Sequence, residues 1–250
     1  PASQPAAADA KADGPKPPKP PKSAKPAEPA PPPGIPGPED VLRLNASLAL
    51  SKIGAPAVPW LRRLLRGSEP AVVIIAINAL GWAGPAARDA VPDIQALTTS
   101  ADPETRQACA AALVKITEDP AAGLPVLTQD LASPDPELRE ASLGRIGEMQ
   151  DLGRNAGPNV AACLTDSAPE VRGAAALTLV KIKADPAETV RRVTPLLEDE
   201  SADVKFSAAM ALATLGPKAS EARSKLETMQ QGKDKKLAAV ATMALKNIGA

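Results

Sequence analysis

From Pro38 onward the apolar positions recur with two periods at once, a short one within each segment and a long one between segments. Anchored on Leu50, Leu80, Leu113, Ile146, Leu179, Leu212 and Leu245, the pattern advances once by 30 residues and then five times by 33. Three residues after the anchors stand Ile53, Ala83, Ile116, Met149, Ile182, Leu215 and Ile248. Eight residues before them, from the second copy on, stand Val72, Thr105, Leu138, Val171, Val204 and Leu237. Offsets of −8, −4, 0 and +3 share one face of a helix with 3.6 residues per turn, so each anchor predicts a helix. Turns such as Asp102-Pro103-Glu104 and Asp135-Pro136-Glu137 open these helices: Asp can cap and Pro suits the first helical position. Gly54, Gly84, Gly216 and Gly249 stand where helices of this kind close.

A second marker runs in step with the first. Pro59, Pro92, Pro125 and Pro158 are again 33 apart, each followed by apolar residues such as Leu61 and Leu64 or Ile94 and Leu97. After Pro158 the marker lapses, and Arg191 and Ser224 hold the equivalent places. The unit is therefore a hairpin of two helices, too thin to bury its own apolar face. Stacked neighbours bury it instead. The chain is expected to be all-α: an α-solenoid of about six such hairpins plus a leading cap helix, over residues 38–250.

Residues 1–37 are different. They hold thirteen prolines, no aromatic residue and Ile35 as the one large aliphatic, too little apolar surface to offset the entropy of ordering. The expectation is a disordered Pro/Ala/Lys-rich linker or tether. In "KPPKPPK" (16–22) the lysines would line one edge of a polyproline II rod. The segment resembles the Pro/Lys spacers of bacterial envelope proteins such as the TonB family, which implies an exported or cell-envelope setting rather than a cytoplasmic one. The chain begins with Pro1 rather than Met, as a processed protein or a fragment would.

The repeat itself has a likeness. A first-helix Pro, an inter-helix Asp, the turn D-P-E-V-R and a following A-A-x-x-A-L-x-x-I-G resemble a HEAT-type repeat, closest to the short bacterial variety named after phycobilisome lyases. The resemblance covers residues 38–250 and implies a structural Asp–Arg ladder. Asp166 with Arg172 and Asp199 with Lys205 match that pairing, whereas Ser100 with Arg106 and Ser133 with Arg139 lack the Asp. Ankyrin and tetratricopeptide repeats fit less well, since one needs His and the other Tyr, and the chain has neither.

Composition narrows the chemistry. Without His the commonest general base and metal ligand is missing, and the His-Glu iron sites of HEAT-like hydroxylases cannot be built. Cys109 and Cys163 have no C-x-x-C spacing and read as small buried hydrophobes. Residues 38–250 carry 24 basic and 26 acidic side chains, which disfavours nucleic acid. No apolar run approaches the roughly 18 residues of a membrane helix, so no membrane span is expected. No catalytic residue, metal site or cofactor is assigned, and a bilin-lyase-like maturation role follows from the repeat's resemblance alone.

What remains is surface. In HEAT-type arrays the second helix of each pair lines the concave face. Positions −6, −3, −2 and +1 from each anchor lie opposite the core stripe, and only two of the 24 in six copies are charged. Contiguous apolar surface marks partner sites. The expected partner-binding residues, for a protein or peptide, are Ile74, Ile77, Leu177, Phe206, Met210 and Met243, with Trp82 as a rim anchor. Trp60 is expected to pack under the leading helix. The function this predicts is a non-enzymatic interaction scaffold or adaptor.

Overall fold

The computed structural model describes residues 38–249; the expected linker over 1–37 lies outside the described residues. Among them there is no strand, and the α-helices fall into two layers. One layer holds the long helices that carry the anchors: α1 (Pro38–Ser51), α3 (Pro70–Ala83), α5 (Pro103–Thr117), α7 (Pro136–Glu148), α9 (Pro169–Lys181), α11 (Ala202–Leu215) and α13 (Lys235–Ile248). Each packs beside the next. The other layer holds short helices: α2 (Val58–Leu64), α4 (Val91–Gln95), α6 (Leu124–Asp130), α8 (Gly157–Ala162), α10 (Pro186–Val193) and α12 (Arg223–Gln230). The array is an α-solenoid of six helix pairs behind a leading helix, as the two periods require.

Local chemistry sets the ends of these helices. Asp102 accepts from the Thr105 N–H at 2.9 Å, Asp135 from Glu137, Asp185 from Glu188 and Asp234 from Lys236 and Leu237, satisfying donors that a helix start leaves open. At the far ends Gly54, Gly84, Gly216 and Gly249 take φ between 58° and 94°, a region glycine enters without steric cost. Glu118, Gln150 and Lys183 also take positive φ, and Glu118 does so in the left-handed helical region, which a side chain can enter at some cost. The short layer is shorter than two matched helices would be. A proline in the first two positions starts most of its members, and 3-10 turns such as Gly84–Ala90 and Gly216–Ala222 fill the approach.

The anchors Leu80, Leu113, Ile146, Leu179 and Leu212 are buried, and so are Ile116, Met149, Ile182 and Ile248 three residues beyond their anchors. The core falls into two clusters that meet at α5. Cys109, Ala112, Leu113 and Ile116 face one cluster, and Ala110, Ala111 and Val114 face the other. A helix buried all round is a core helix. The stretch Pro70–Gln95 is long and apolar enough to cross a membrane, which corrects the expectation that no such run exists. It is, however, interrupted where Gly84 takes φ 59°, and Val73, Ala76, Ala79 and Leu80 are buried inside the array.

The ladder is real, but it runs between units. Arg139 donates to Asp166 through two nitrogens, at 2.8 and 2.6 Å, and Arg172 to Asp199 at 2.8 and 2.7 Å. Each Arg also donates back to a carbonyl of its own turn, Ser133 or Asp166. The within-unit pairs Asp166–Arg172 and Asp199–Lys205 are thus replaced by pairs reaching 27 residues forward. Arg172 stands in the first turn of its helix and leans toward the N-terminus, where its own unit's Asp166 carboxylate is already taken by Arg139 and the Ala168 N–H. It meets instead the Asp that opens the next unit.

Candidate interaction surface on the long-helix layer

Three sides of each inner long helix are occupied, by the short layer and by the two neighbouring long helices, while α1 and α13 have one long neighbour each. The fourth side is open from α7 to α13. On α9 it presents Glu170, Ala174, Leu177 and Lys181, and on α11 Asp203, Phe206, Met210 and Thr214. On α13 it presents Lys236, Ala239, Met243 and Asn247, and on α7 Glu137, Glu140, Gly144 and Glu148. These residues form lanes running across the helices. The first turns supply an acidic lane, the middle an apolar one, and the last turns a mixed polar border.

Leu177, Phe206 and Met210 are half-buried against the core, and Met243 is 39% exposed. The structure therefore brings these four expected residues to one face on adjacent helices. It does not do so for Ile74 and Ile77, which are 3% and 0% exposed. Both sit on α3, where neighbouring helices close over the face. Arg145 on α7 reaches past α5 and donates to the Asn78 Oδ1 at 2.9 Å, and Ala108 and Ala111 on α5 are buried. The two isoleucines are packing residues and offer nothing to a partner. Most of the small residues at the −3 and +1 positions, such as Ala110, Val114, Gly147, Ala176 and Ala213, are likewise buried between helices. Trp60, placed under the leading helix by its sequence neighbours, is instead 44% exposed.

Both aromatic rings on this layer carry a lysine. Lys115 lies 5.8 Å from the centre of the Trp82 ring and bonds Glu148 at 2.9 Å. Lys236 lies 4.7 Å from the centre of the Phe206 ring and bonds Asp203 at 3.3 Å. Trp82 is half-buried at the edge of an open hollow lined also by Glu118, Glu148 and Gln150. Each ring accepts a cation from the next unit, and a carboxylate holds that cation in place.

The acidic lane was not among the residues singled out from sequence, although it was readable there: position −9 reads Glu104, Glu137, Glu170, Asp203 and Lys236. The first four stand in first turns, where a carboxylate complements the helix dipole. Glu140 lies farther along α7 and has a different environment. Burial raises its carboxyl above the usual range, and the nearby Glu170 and Glu137 push it the same way.

Nucleophile chemistry finds no support in the cysteines. Cys109 is fully buried, and burial pushes its thiol up to about 12. Cys163 is 6% exposed, and burial, with Asp166 nearby, raises it too. Such thiols are protonated at neutral pH and act as packing groups.

A family description of HEAT repeats matches residues 158–246. Among curated proteins no match was found. Among solved structures, the Escherichia coli protein YibA superposes with a TM-score of 0.58 at 20% identity, over 81% of this chain and 74% of its own. An engineered protein superposes with a TM-score of 0.52 at 24% identity, over 85% of this chain. The chain spans 64% of that protein's length. At these identities the likeness is one of fold. Residues 158–246 are thus similar in sequence to HEAT repeats, and the chain as a whole has the fold of a helical repeat protein.

Proposed function

We propose that this protein is an interaction scaffold or adaptor whose binding surface is the open long-helix face of α7–α13. The repeat fold suits protein interaction in general, since stacked units present extended surface rather than an enclosed site. The observation that carries the finer reading is the apolar lane Leu177, Met210 and Met243, beside Phe206, left uncovered on three adjacent helices. Adjacent helices lie about 8–10 Å apart, so the lane is roughly 20 Å long, enough to seat one peptide segment. Trp82 would contribute at the border and not as a free aromatic anchor, because Lys115 covers its ring. The reading as a maturation factor of an enzyme complex rests on the resemblance of the repeats alone.

The test is affinity capture from the native source with three proteins: the unaltered chain, the variant Met210→Glu/Met243→Glu, and a control, Arg63→Glu, altered on the short-helix layer. A charge pressed against an apolar partner surface should lower affinity by about tenfold or more. Specific partners should be lost from the first variant and kept by the control. Retention by a folded Met210→Glu/Met243→Glu variant would place the binding surface elsewhere.

A further inference from the structure

This inference rests on the reading of the α7–α13 face just given and names what the face accepts. We infer that its partner is a basic amphipathic helix, lying across the long helices with its apolar side chains on Leu177, Met210 and Met243 and its lysines or arginines along Glu137, Glu140 and Glu170. Geometry supports the helix. The acidic and apolar lanes are seven residues apart on α9, Glu170 to Leu177, which is about 10 Å along a helix axis. A helix with its side chains is about 10–12 Å across, so one helix covers both lanes. Along the lane, the stations recur every 8–10 Å or so. Residues seven apart on a ligand helix recur every 10.5 Å or so, so one apolar residue per heptad falls on each station.

Charge supplies the sign. Among the described residues, Glu137, Glu140 and Glu170 have no basic group within ion-pair distance. The helix dipole accounts for the first-turn residues Glu137 and Glu170 but not for Glu140, which is half-buried between them and held against like charge. At the last station the same lane already holds a cation. Lys236 occupies the position that is acidic in four earlier copies, bonds Asp203, and rests on Phe206. The chain supplies that one cation itself. At the preceding stations the cation has to come from the partner. Lys181, exposed on the opposite border, fixes which edge of the ligand is basic.

Two synthetic amphipathic helices of about 18 residues, about 27 Å long, decide the matter. They share apolar positions and differ only in carrying lysine or glutamate on one flank. Binding of each labelled peptide to the full chain is followed by fluorescence anisotropy at low salt and at about 0.15 M. One exposed ion pair changes affinity by a factor of up to about five, so three should favour the lysine peptide by about tenfold or more. Raising the salt should shrink that preference. The variant Glu137→Gln/Glu140→Gln/Glu170→Gln should abolish it, while Met210→Glu/Met243→Glu should weaken both peptides. Equal binding of the two peptides, both lost in the methionine variant, would overturn the basic partner and leave the face standing. Binding of neither peptide to the unaltered chain, or of both unchanged by the methionine variant, would overturn the face and this inference with it. Circular dichroism confirms that each variant is folded.

Discussion

Asp199, like Asp166 one unit earlier, accepts two bonds from an Arg of the preceding unit and one from its own turn, so Asp199→Ala tests the ladder directly. The carboxylate accepts from Arg172 Nε at 2.8 Å and Nη2 at 2.7 Å, and from the Ser201 N–H at 2.9 Å. It thereby ties α9 to the turn that opens α11. The Arg172 and Asp199 side chains are only 16% and 9% exposed, so water cannot replace what is lost. Removing one member of a buried pair costs about 3–5 kcal/mol, mostly for the charge left behind. Arg172 keeps its bonds to the Asp166 and Ser167 carbonyls, which puts the cost at the lower end, about 3 kcal/mol. For a chain of this size each kcal/mol moves Tm by about 2–4 °C, so a fall of about 6–12 °C is expected by far-UV circular dichroism. Because the pair bridges two units, the transition should also broaden or split. The exposed pair Lys225–Glu198 gives the control, and Glu198→Gln should move Tm by less than about 2 °C.

The same pair sets a pH dependence with a defined sign. The hydrogen bonds from Arg172 hold the Asp199 carboxyl below its usual range, outweighing burial. A carboxylate whose folded value is depressed contributes stability that is complete above its unfolded value, about 3.9, and is lost as pH falls through the folded value. The gap in Tm between the unaltered chain and Asp199→Ala should be full at pH 7 and shrink below about pH 4. A shift no larger than that of Glu198→Gln, or a gap that persists unchanged in acid, would show that the ladder is not what joins the units.

Two glycines and two cysteines give further checks. A Cβ on Gly123 would lie 2.0 Å from the Ala110 carbonyl oxygen, a backbone atom of α5 that cannot swing away, so Gly123→Ala should destabilise by about 3 kcal/mol or prevent folding. Gly144 is exposed in the middle of α7 with nothing within 4 Å of its Cβ position, so Gly144→Ala should raise stability by about 0.5–1 kcal/mol in urea unfolding. Cys109 and Cys163 should resist a thiol reagent at neutral pH in the folded chain and react fully in denaturant; fast native labelling would contradict their burial.

Much of the fold was legible because the repeat states it several times. The anchors, the Asp caps and the terminal glycines each needed only local rules, and local rules act the same way in every copy. The ladder was legible in its residues and not in its partners. Asp166 and Arg172 are close in sequence, and pairing them is the simplest guess, but Arg172 in fact donates to Asp199 and leaves Asp166 to Arg139. Which carboxylate an Arg meets depends on how the units stack side by side, and that does not show in spacing alone.

The surface was less legible for a related reason. A single core stripe suits a helix that lies on one neighbour. An inner long helix has a short helix beneath it and a long helix on either side, so the buried arc covers most of the wheel. Ala176 and Ala213 are consumed by sideways packing, which is why small residues stand there. Only one column and its borders stay open, and even that column closes where the chain bridges it, as Arg145 does past α5. Ile74 and Ile77 fall on the closed side of that bridge; Leu177, Met210 and Met243 fall beyond it. The open column therefore begins at Glu137 and Glu140 and ends under Lys236. Along it, side chains grow from Gly144 to Leu177, Met210 and Met243 while the first-turn charge changes from acidic to basic. Packing alone asks only for small residues where helices touch. A graded apolar lane beside a lane that is acidic on α7, α9 and α11 is what the proposed recognition of an amphipathic segment would use.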